Sequence, residues 1–469
     1  MATKKDLVEA YSFSRRRLVT AFVSGAPGGR EVEPSRPGRA IIGGLALAVL
    51  LIAGAAIAGV FSSSVDPGWA DQPALIISKE QGAAYVITAT KEETGGRPVL
   101  HPILNITSAK LILGADRAVP HTIPDAEITG EVIGEDLGIL GAPNDVPSTS
   151  KLIQSGWSAC ASGSDVHLDI SARARVESAA SLGDLVNVDG DVYLVAMGRP
   201  DPRTGVQQAY HYLVPKSGSR DRMLDHLGLG PAGEARKVPL AWLDLTPGGG
   251  TLDSSAFDLA GGGGKTTIAG RQYPIGSVVK DVDDYFLVTD GRFMKLDPFG
   301  FAVYSNVAHP RISEGSVAGD VADPSYADPA GHDAHWPEDT LEPPFGDPCV
   351  RLLSAPGAAP RTEVVTSPAG SGSSLASGPS VTVDDGSGAY VRSGSFDSGS
   401  RGRAYLVDAR GNAYQLVGAQ VPGNLGYGSV RPPVVPDSWV ELLGNGVPLS
   451  QDLALCSPRQ DRSAPCATS

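Results

Sequence analysis

One uninterrupted apolar segment, residues 40–61, constrains the fold of this chain more than any other feature. Its sequence, AIIGGLALAVLLIAGAAIAGVF, contains no charged residue and no proline. A helix of this length spans the hydrocarbon layer of a bilayer, about 30 Å thick, and satisfies its backbone polar groups internally. A cleaved signal peptide is the alternative, but this segment starts later and is longer than a typical signal core. The sequence therefore predicts a single retained transmembrane helix.

The charge on either side of this segment predicts its orientation. Residues 1–39 carry a net charge of +4, whereas the whole chain carries −14. Basic residues close to a spanning helix remain in the cytoplasm. We therefore expect a protein of the inner (plasma) membrane, with a cytoplasmic amino terminus and with residues 62–469 outside. The acidic outer part argues against nucleic acid as a partner, because phosphate binding requires a basic surface.

The cytoplasmic arm, residues 1–39, begins with a predicted amphipathic helix over residues 4–24. Leucines and aromatic residues recur there at helical spacing, and three arginines interrupt the apolar stripe. The pattern fits a helix that lies on anionic membrane lipid. It also fits a helix that docks onto a cytoplasmic partner, and the spacing leaves both interpretations open. The candidate contact residues are Tyr11, Phe13, Arg15, Arg16, Arg17 and Phe22.

All four cysteines follow the apolar segment. An even number of cysteines in an oxidising compartment predicts disulfides, and three pairings are possible. We favour Cys160–Cys349, which would tie distant parts of the chain together, and Cys456–Cys466, which would close a short loop at the tail. A metal site is the alternative, but the chain has no C-x-x-C pair.

The outer part is predicted to form short strands and turns rather than a helix bundle, because the chain contains 58 glycines and 37 prolines. Four segments share an aromatic residue followed by aliphatic residues, and most lead into a glycine turn, which predicts a repeated β-hairpin. Their irregular spacing suits small separate modules rather than a stacked solenoid. The four segments are Tyr85–Ile87, Tyr193–Val195, Phe286–Val288 and Tyr405–Val407. Three low-complexity stretches are predicted to be flexible loops, namely residues 246–264, 315–348 and 355–402.

No pattern assigns a catalytic residue, a metal ligand or a cofactor. The sequence GGGGKTT at residues 261–267 looks like a phosphate-binding loop, but Leu259 stands where the first glycine is required. His332, Asp333 and His335 have a spacing that could bind a metal, yet a few ligand types in a proline-rich loop do not define a site. Enzymatic activity is therefore not predicted. Aspartate and glutamate are abundant, however, so a catalytic pair of carboxylates is neither located nor excluded by the sequence.

Several segments together resemble EccB, a membrane component of the type VII (ESX) secretion system of actinobacteria. The order of these segments over residues 7–450 makes the resemblance specific. They are AYSFSRRRLVTAF, the apolar segment at 40–61, HPILNITSAKLILG, GWSAC around Cys160, DPCV around Cys349, AYLVDARGNAYQL and NLGYGSV.

The resemblance implies an α+β, mainly β fold with an amphipathic helix, one transmembrane helix and an extracytoplasmic domain over 62–469. That domain is expected to be elongated and propeller-like, with four small β repeats around a central β domain. The resemblance also implies the Cys160–Cys349 disulfide, whereas Cys456 and Cys466 lie outside the family pattern. The predicted repeat hairpins lie near residues 75–114, 185–215, 278–305 and 400–450.

The partners that the resemblance implies are an EccC-like motor ATPase, EccD-like and EccE-like membrane subunits, and the mycosin protease. It further implies self-association through the outer domain and favours docking as the role of the amino-terminal arm. The expected function is that of a structural subunit that scaffolds a secretion pore in the inner membrane and extends into the periplasm-like envelope space. Two alternatives remain open: a peptidoglycan-binding anchor, and an ATPase, the label that some family members carry.

Overall fold

The structure is a computed structural model that describes residues 4–24, 68–173, 176–201, 203–257, 259, 263–317, 335–366, 379–397 and 402–458. The chain divides into two compact units, Met1–Asp66 and Pro67–Ser469. The predicted transmembrane segment, residues 40–61, lies outside the described residues. Among the helices that are described, none is both long enough and apolar enough to cross a bilayer.

The amino-terminal helix that the sequence predicts is confirmed as α1, Lys4–Ser24. Asp6 lies in its first turn, where a carboxylate interacts favourably with the positive end of the helix dipole. The segment contains neither proline nor an internal glycine, the two residues that most disfavour a helix interior.

The second unit is mainly β, as expected. Its helices are short: α2 Lys91–Thr94, α3 Ile106–Leu113, α4 Asp125–Ile128, α5 Arg220–His226, α6 Leu240–Leu243, α7 Pro298–Val307, α8 Val421–Asn424, α9 Asp437–Val440 and α10 Gln451–Ala454. Single 3-10 turns cover Thr149–Lys151, Ala232–Glu234 and Ser254–Phe257.

The strands of the second unit follow one another closely along the chain. They are β1 Leu75–Ser78, β2 Ala84–Ala89, β3 Val99–Pro102, β4 Pro120–Ile123, β5 Val132–Ile133, β6 Trp157–Ser162, β7 Asp165–Ile170, β8 Glu177–Ser178, β9 Gly183–Val188, β10 Asp191–Met197, β11 Ala209–Val214, β12 Arg236–Lys237, β13 Gly248–Thr251, β14 Lys265–Ile268, β15 Arg271–Pro274, β16 Val278–Asp281, β17 Asp284–Thr289, β18 Arg292–Leu296, β19 Ile312–Glu314, β20 Cys349–Leu353, β21 Arg361–Thr366, β22 Ser380–Val383, β23 Ala389–Gly394, β24 Ala404–Val407, β25 Asn412–Leu416, β26 Val434–Pro436 and β27 Gly444–Asn445.

Four of the sheets share one topology and define repeats 1 to 4. Each begins with three antiparallel strands, and the chain then crosses through a helix to place a fourth strand parallel to the first. In repeats 1, 2 and 4 a fifth strand runs parallel to the third. The strand orders are β4-β1-β2-β3-β5, β12-β9-β10-β11-β13, β18-β17-β16-β19 and β26-β23-β24-β25-β27.

The aromatic-aliphatic segments predicted as hairpins lie in the second strand of all four repeats. Alternation along such a strand sends the aromatic and the third residue to one face and the middle residue to the other. In repeat 2, Leu194 packs against the repeat's own helix α5, whereas Val195 packs in a different core. The tight turn before this strand uses Asp189 and Gly190, which adopt φ of 51° and 94°, as a two-residue hairpin requires.

A fifth sheet, hereafter the central sheet, is built from chain segments that flank repeats 2 and 3. Its strand order is β22-β7-β6-β20-β21-β8. The hairpin β6–β7 precedes repeat 2, and the hairpin β20–β21 follows repeat 3. Repeats 2 and 3 are thus inserted between the two halves of the central sheet, and repeats 1 and 4 precede and follow it.

The predicted flexible loops are partly wrong. The stretch 355–402 contains β21, β22 and β23, because residues such as Val364 and Val365 are fully buried in strands despite the low-complexity surroundings. The stretch 246–264 contains β13, and the stretch 315–348 contains the buried side chains of Trp336 and Leu341. Composition failed there because glycine in β13 reflects close packing rather than disorder: a Cβ at Gly249 would overlap the Tyr212 ring.

Candidate functional site

The candidate contact residues of the amino-terminal arm lie on α1, and every apolar side chain described on that helix is exposed. Tyr11 is 72% exposed, Phe13 is 63% exposed and Phe22 is 91% exposed. The structure thus places the predicted residues on one continuous helix but buries none of them within the described residues. An exposed set of large apolar side chains marks an interaction surface.

The contact residues of α1 occupy two sides of the helix. At about 100° per residue, Tyr11 and Phe22 differ by only about 20° and form one stripe with Leu7 and Leu18. Phe13 lies about 200° from Tyr11, on the opposite side. A helix that rests on lipid presents one apolar side, whereas α1 carries aromatic residues on two sides.

The disulfide Cys160–Cys349 joins the two halves of the central sheet. The cysteines are direct partners of the adjacent antiparallel strands β6 and β20, with their Cα atoms 4.1 Å apart. Cys349 is buried, whereas Cys160 is partly exposed. The bond closes a chain segment of 189 residues that contains repeats 2 and 3. The pairing that the cysteine count left open, and that the family resemblance implied, is therefore present.

Two tryptophans attach repeats to the central part of the molecule. Trp242 on α6 donates its indole Nε1–H to the carbonyl oxygen of Ala159 on β6 at 3.0 Å. Trp439 on α9 donates its Nε1–H to the carbonyl oxygen of Leu245 at 3.1 Å. Both indoles are buried in the core that also contains the inner face of the central sheet. Repeats 2 and 4 therefore share one core with the central sheet.

The two tryptophans occupy equivalent positions, and sequence analysis missed them. The segments are VPLAWL at 238–243 and VPDSWV at 435–440, each placing a proline before a short helix whose third residue is tryptophan. Repeat 1 has IPDAEI at 123–128, with Glu127 at the equivalent position. A search for the short pattern V-P-x-x-W would have identified the two repeats that pack on the central sheet.

Repeats 2 and 3 are joined by a shared core and by an ion pair. Trp336 is buried beside Phe257 and Phe299, with edge-to-face ring contacts at 5.4 and 5.8 Å. Arg199 of repeat 2 contacts Asp297 through Nη2 and Oδ2 at 2.6 Å. Asp297 also caps α7, since its Oδ1 accepts from Gly300 N–H.

Repeats 1 and 4 are joined by main-chain carbonyls that accept from polar side chains. Asn424 donates to Leu111 O at 2.9 Å, and the Tyr427 hydroxyl donates to Pro147 O at 2.6 Å. The apolar residues around these bonds, including Leu425, form one core with α3 of repeat 1. Burial raises the pKa of Tyr427 well above its usual range, so this hydroxyl stays a donor at any physiological pH.

A buried carboxylate lies where repeat 2 meets the chain that enters β20. Asp184 Oδ1 accepts from Arg236 Nη2 at 2.6 Å, and Arg236 also donates to Gly346 O, three residues before Cys349. Asp184 Oδ2 is buried and has no hydrogen-bond partner among the described residues. Burial raises the pKa of Asp184 to about 6, against the opposing influence of Arg236. Sequence reasoning could not locate this pair, because its residues are distant in sequence.

The remaining predicted site residues fall in different places. Lys265 begins β14 and pairs with Pro274 in a two-stranded hairpin, not at the start of a helix. His335 stacks on the Tyr210 ring at 4.9 Å, and His332 and Asp333 lie outside the described residues. Within the described residues, no group of three His, Cys, Asp or Glu side chains could hold a metal ion.

The second predicted disulfide is only partly visible. Cys456 is disulfide-bonded, and Cys466, its predicted partner, lies outside the described residues. Cys456 N–H donates to Leu453 O, and Gly138 N–H of the repeat 1 segment donates to Cys456 O. The carboxyl-terminal segment therefore contacts repeat 1 before it leaves the described part of the chain.

Comparison with known proteins identifies relatives of one kind. Residues 1–460 match the family described as Type VII secretion system ESX-1, transport TM domain B. The protein named ESX-1 secretion system ATPase EccB1 of Mycobacterium tuberculosis (strain ATCC 25618 / H37Rv) is 31% identical over 158 residues. That alignment covers 34% of this chain and 30% of the relative, so it spans under a third of the relative's length.

A relative of the same name from Mycolicibacterium smegmatis (strain MKD8) is 24% identical over 97% of this chain and 95% of its own. Among solved structures, the EccB3 dimer from the ESX-3 core complex has a TM-score of 0.58 at 21% identity, covering 81% of this chain and 99% of that one. A chain of an intact ESX-5 inner membrane complex has a TM-score of 0.60 at 20% identity, covering 100% and 98%. The fold is therefore shared with these chains.

Proposed function

Because the chain belongs to the family described as Type VII secretion system ESX-1, transport TM domain B, we propose that it is an EccB-like structural subunit of a type VII secretion complex in the inner membrane. Its role is to hold the membrane parts of the complex together and to extend a stable body into the periplasm-like envelope space. The observation that carries this proposal is the cross-linked core of the outer unit, in which repeats 2 and 4 pack on a disulfide-bonded central sheet.

The proposed topology has three parts: a cytoplasmic arm over 1–39, a transmembrane helix over 40–61 and an extracytoplasmic domain over 62–469. The basic arm and the disulfide beyond it support this arrangement, since disulfides persist in oxidising compartments. A cysteine introduced at the exposed position Thr204 should react with a membrane-impermeant maleimide in intact spheroplasts. Protection of that cysteine until lysis would contradict the topology. We further propose that the four repeats stand around the central sheet in a propeller-like arrangement.

The proposed cytoplasmic contact is α1, which docks onto protein partners. The partners proposed are an EccC-like motor ATPase and EccD-like and EccE-like membrane subunits, with the mycosin protease as an envelope partner and a second copy of this chain at the outer domain. The support is the presence of aromatic residues on both sides of α1. Deletion of residues 1–24 should abolish co-purification with the motor ATPase. Disulfide formation, read on a non-reducing gel, should be unchanged, and intact co-purification would contradict the docking role.

An ATPase activity is the second candidate, because the curated relatives are named ATPases. The local structure offers it little support: a phosphate-binding lysine precedes a helix whose N–H groups face the phosphates, whereas Lys265 opens a β-hairpin. Purified protein should therefore hydrolyse no ATP above the background of a mock preparation. Turnover that disappears in Lys265→Ala would establish the enzyme instead.

A peptidoglycan-binding anchor is the third candidate, and one cavity favours it. An open cavity of about 460 Å³ between the loop before α5 and the end of α7 is lined by hydroxyl and charged groups, among them Ser217, Arg222 and His309. Such groups suit a polar ligand. Retention of purified protein on peptidoglycan sacculi, lost in Arg222→Ala, would support this role. Equal retention of both proteins would exclude this cavity as the binding site.

A further inference from the structure

A row of four polar or reactive side chains crosses the central sheet at the disulfide. Ser380 on β22 is paired with His167 on β7, His167 with Cys160 on β6, and Cys160 with Cys349 on β20. Directly paired residues share one face of a sheet, with Cβ atoms about 4.5–5.5 Å apart in antiparallel pairs. An imidazole therefore lies beside one sulfur of the disulfide.

The imidazole of His167 is held in place by its other neighbour. His167 Nδ1 and Ser380 Oγ lie 2.7 Å apart and form a hydrogen bond, which occupies one of the two ring nitrogens. In the tautomer whose Nδ1–H donates to Ser380 Oγ, the opposite nitrogen, Nε2, is able to accept a proton. His167 itself is buried, so a thiol at Cys160 would have an oriented proton acceptor on one side.

The two cysteines differ in accessibility. Cys160 is partly exposed, whereas Cys349 is 1% exposed. Thiol–disulfide exchange begins with a thiolate that reaches one sulfur along the S–S axis, so access decides which sulfur is attacked. An incoming thiol would therefore reach Cys160, and Cys349 would be the leaving group.

We propose that the Cys160–Cys349 bond is a thiol–disulfide exchange site, at which a protein dithiol of the C-x-x-C class opens and re-forms the link between the halves of the central sheet. Opening begins when one carrier thiolate bonds to Cys160 Sγ and the Cys160–Cys349 bond breaks, with Cys349 leaving as a thiolate that takes up the proton released by the carrier thiol. The second carrier thiolate then bonds to the first carrier sulfur and releases Cys160 as a thiolate, which takes the second carrier proton by way of the His167 imidazole. Two electrons pass from the carrier dithiol, which becomes a disulfide, to the cysteine pair.

Re-formation runs through the same intermediates in reverse and uses His167. The His167 imidazole accepts the proton of the Cys160 thiol, and the thiolate attacks an oxidised carrier. The groups that share the face of His167 set its electrostatic surroundings. They are Asp165 and Asp169 on β7, Cys160 on β6, Ser380 and Thr382 on β22 and, farther along the face, Arg351 and Glu363. This inference is independent of the proposed role in secretion.

The first test uses unmodified full-length protein in detergent, with reduced glutathione as the probe at pH 7.5. After acid quenching, peptide mapping should find the mixed disulfide on Cys160. Glutathione on Cys349 in preference to Cys160 would overturn the proposal. The rate of reduction by dithiothreitol should also be independent of urea below the unfolding transition, because the native bond is attacked directly. A rate that rises in parallel with global unfolding would likewise overturn it.

The second test isolates His167. After reduction, re-formation of the bond by oxidised glutathione at pH 7 should be about tenfold slower in His167→Gln than in the parent protein. The pH at which half of the Cys160 thiols react with iodoacetamide should rise in the variant. His121→Gln, an exposed histidine of repeat 1, is the matched control, and the disulfide of Cys456 is the control within the same molecule. Equal rates in both histidine variants would contradict the role of His167.

Discussion

Trp242 and Trp439 are equivalent residues of repeats 2 and 4, and each donates its indole N–H to a main-chain carbonyl outside its own helix. Trp242 reaches the central sheet at Ala159, whereas Trp439 reaches Leu245, just after the helix that carries Trp242. The two indoles therefore connect central sheet, repeat 2 and repeat 4 in series. Loss of either one is expected to loosen more than one module.

Replacing Trp439 tests this connection. Trp439→Phe removes the donor to Leu245 O and leaves space in a buried core, so we expect a loss of about 2–3 kcal/mol in the free energy of unfolding. The measurement is urea unfolding followed by circular dichroism. Phe345→Ala is the matched control, because Phe345 is 82% exposed and its truncation should change stability little. A neutral Trp439→Phe would refute the connection.

Glycines in or just after the fifth strand of repeats 2 and 4 test how closely this part of the chain packs on the third strand. A Cβ at Gly446 would overlap the ring of Tyr414, as a Cβ at Gly249 would overlap the ring of Tyr212. Gly446→Ala should therefore lower the melting temperature by several degrees, at a cost of about 1–3 kcal/mol. Gly423→Ala is the control, because nothing lies within 4 Å of a Cβ there. Similar melting temperatures for the two variants would show that the ring can move aside.

The raised pKa of Asp184 predicts how the free energy of unfolding depends on pH. Its pKa in the folded protein, about 6, lies above the ordinary value of 3.8, so the native state holds a proton between these values that the unfolded chain releases. Stability from this group is therefore full below pH 4 and is lost as pH rises through 6, by up to about 3 kcal/mol. We expect Asp184→Asn to match the parent near pH 4 and to be more stable at pH 7.5.

The control for this pH dependence is Asp191→Asn, a half-exposed carboxylate on the neighbouring strand β10. This variant removes a carboxylate of the same sheet, one that pairs with Lys216, and leaves the buried site untouched. Thermal unfolding of the three proteins across this range gives the comparison. If Asp184→Asn is destabilised equally at both pH values, the ion pair with Arg236 outweighs the burial of the carboxylate.

The two sides of α1 provide a prediction that separates docking from lipid contact. Phe13→Ala should weaken binding of the motor ATPase by about thirtyfold, since a buried aromatic at an interface contributes on the order of 2 kcal/mol. Binding to anionic vesicles should be unchanged, because Phe13 lies opposite the Tyr11–Phe22 stripe. Ser14→Ala, the neighbouring exposed residue, is the control. Vesicle binding that falls with Phe13→Ala while co-purification persists would favour lipid.

Local sequence signals predicted much of the fold. The helix α1 follows from spacing, and the aromatic-aliphatic segments mark the second strand of each repeat, because that strand is buried on both faces and needs large residues at successive positions. The first strand of repeat 4 was missed within a serine- and glycine-rich stretch. Its residues Ala389, Tyr390 and Val391 are buried, but their neighbours in sequence conceal the pattern.

The candidate sites were predictable to a smaller degree. Cysteine pairing was favoured by counting and implied by resemblance, whereas the Asp184–Arg236 pair depends on contacts across 52 residues that no local pattern encodes. The position of His167 beside Cys160 follows from the register of the β6–β7 hairpin, whose two-residue turn at Gly163 and Ser164 the sequence analysis did not recognise. Such sites are visible only once the strands are paired.

The insertion of repeats 2 and 3 between the halves of the central sheet fixes an order of events during synthesis. At roughly 5–20 residues per second, the chain between Cys160 and Cys349 takes on the order of ten to forty seconds to emerge. Repeats 2 and 3 have time to form first, because their strand partners are mostly close in sequence. During this time one edge of β6 has no partner strand. A chain interrupted before β20 would carry an open strand edge, and so would be prone to aggregate rather than to fold as a smaller version of the same body.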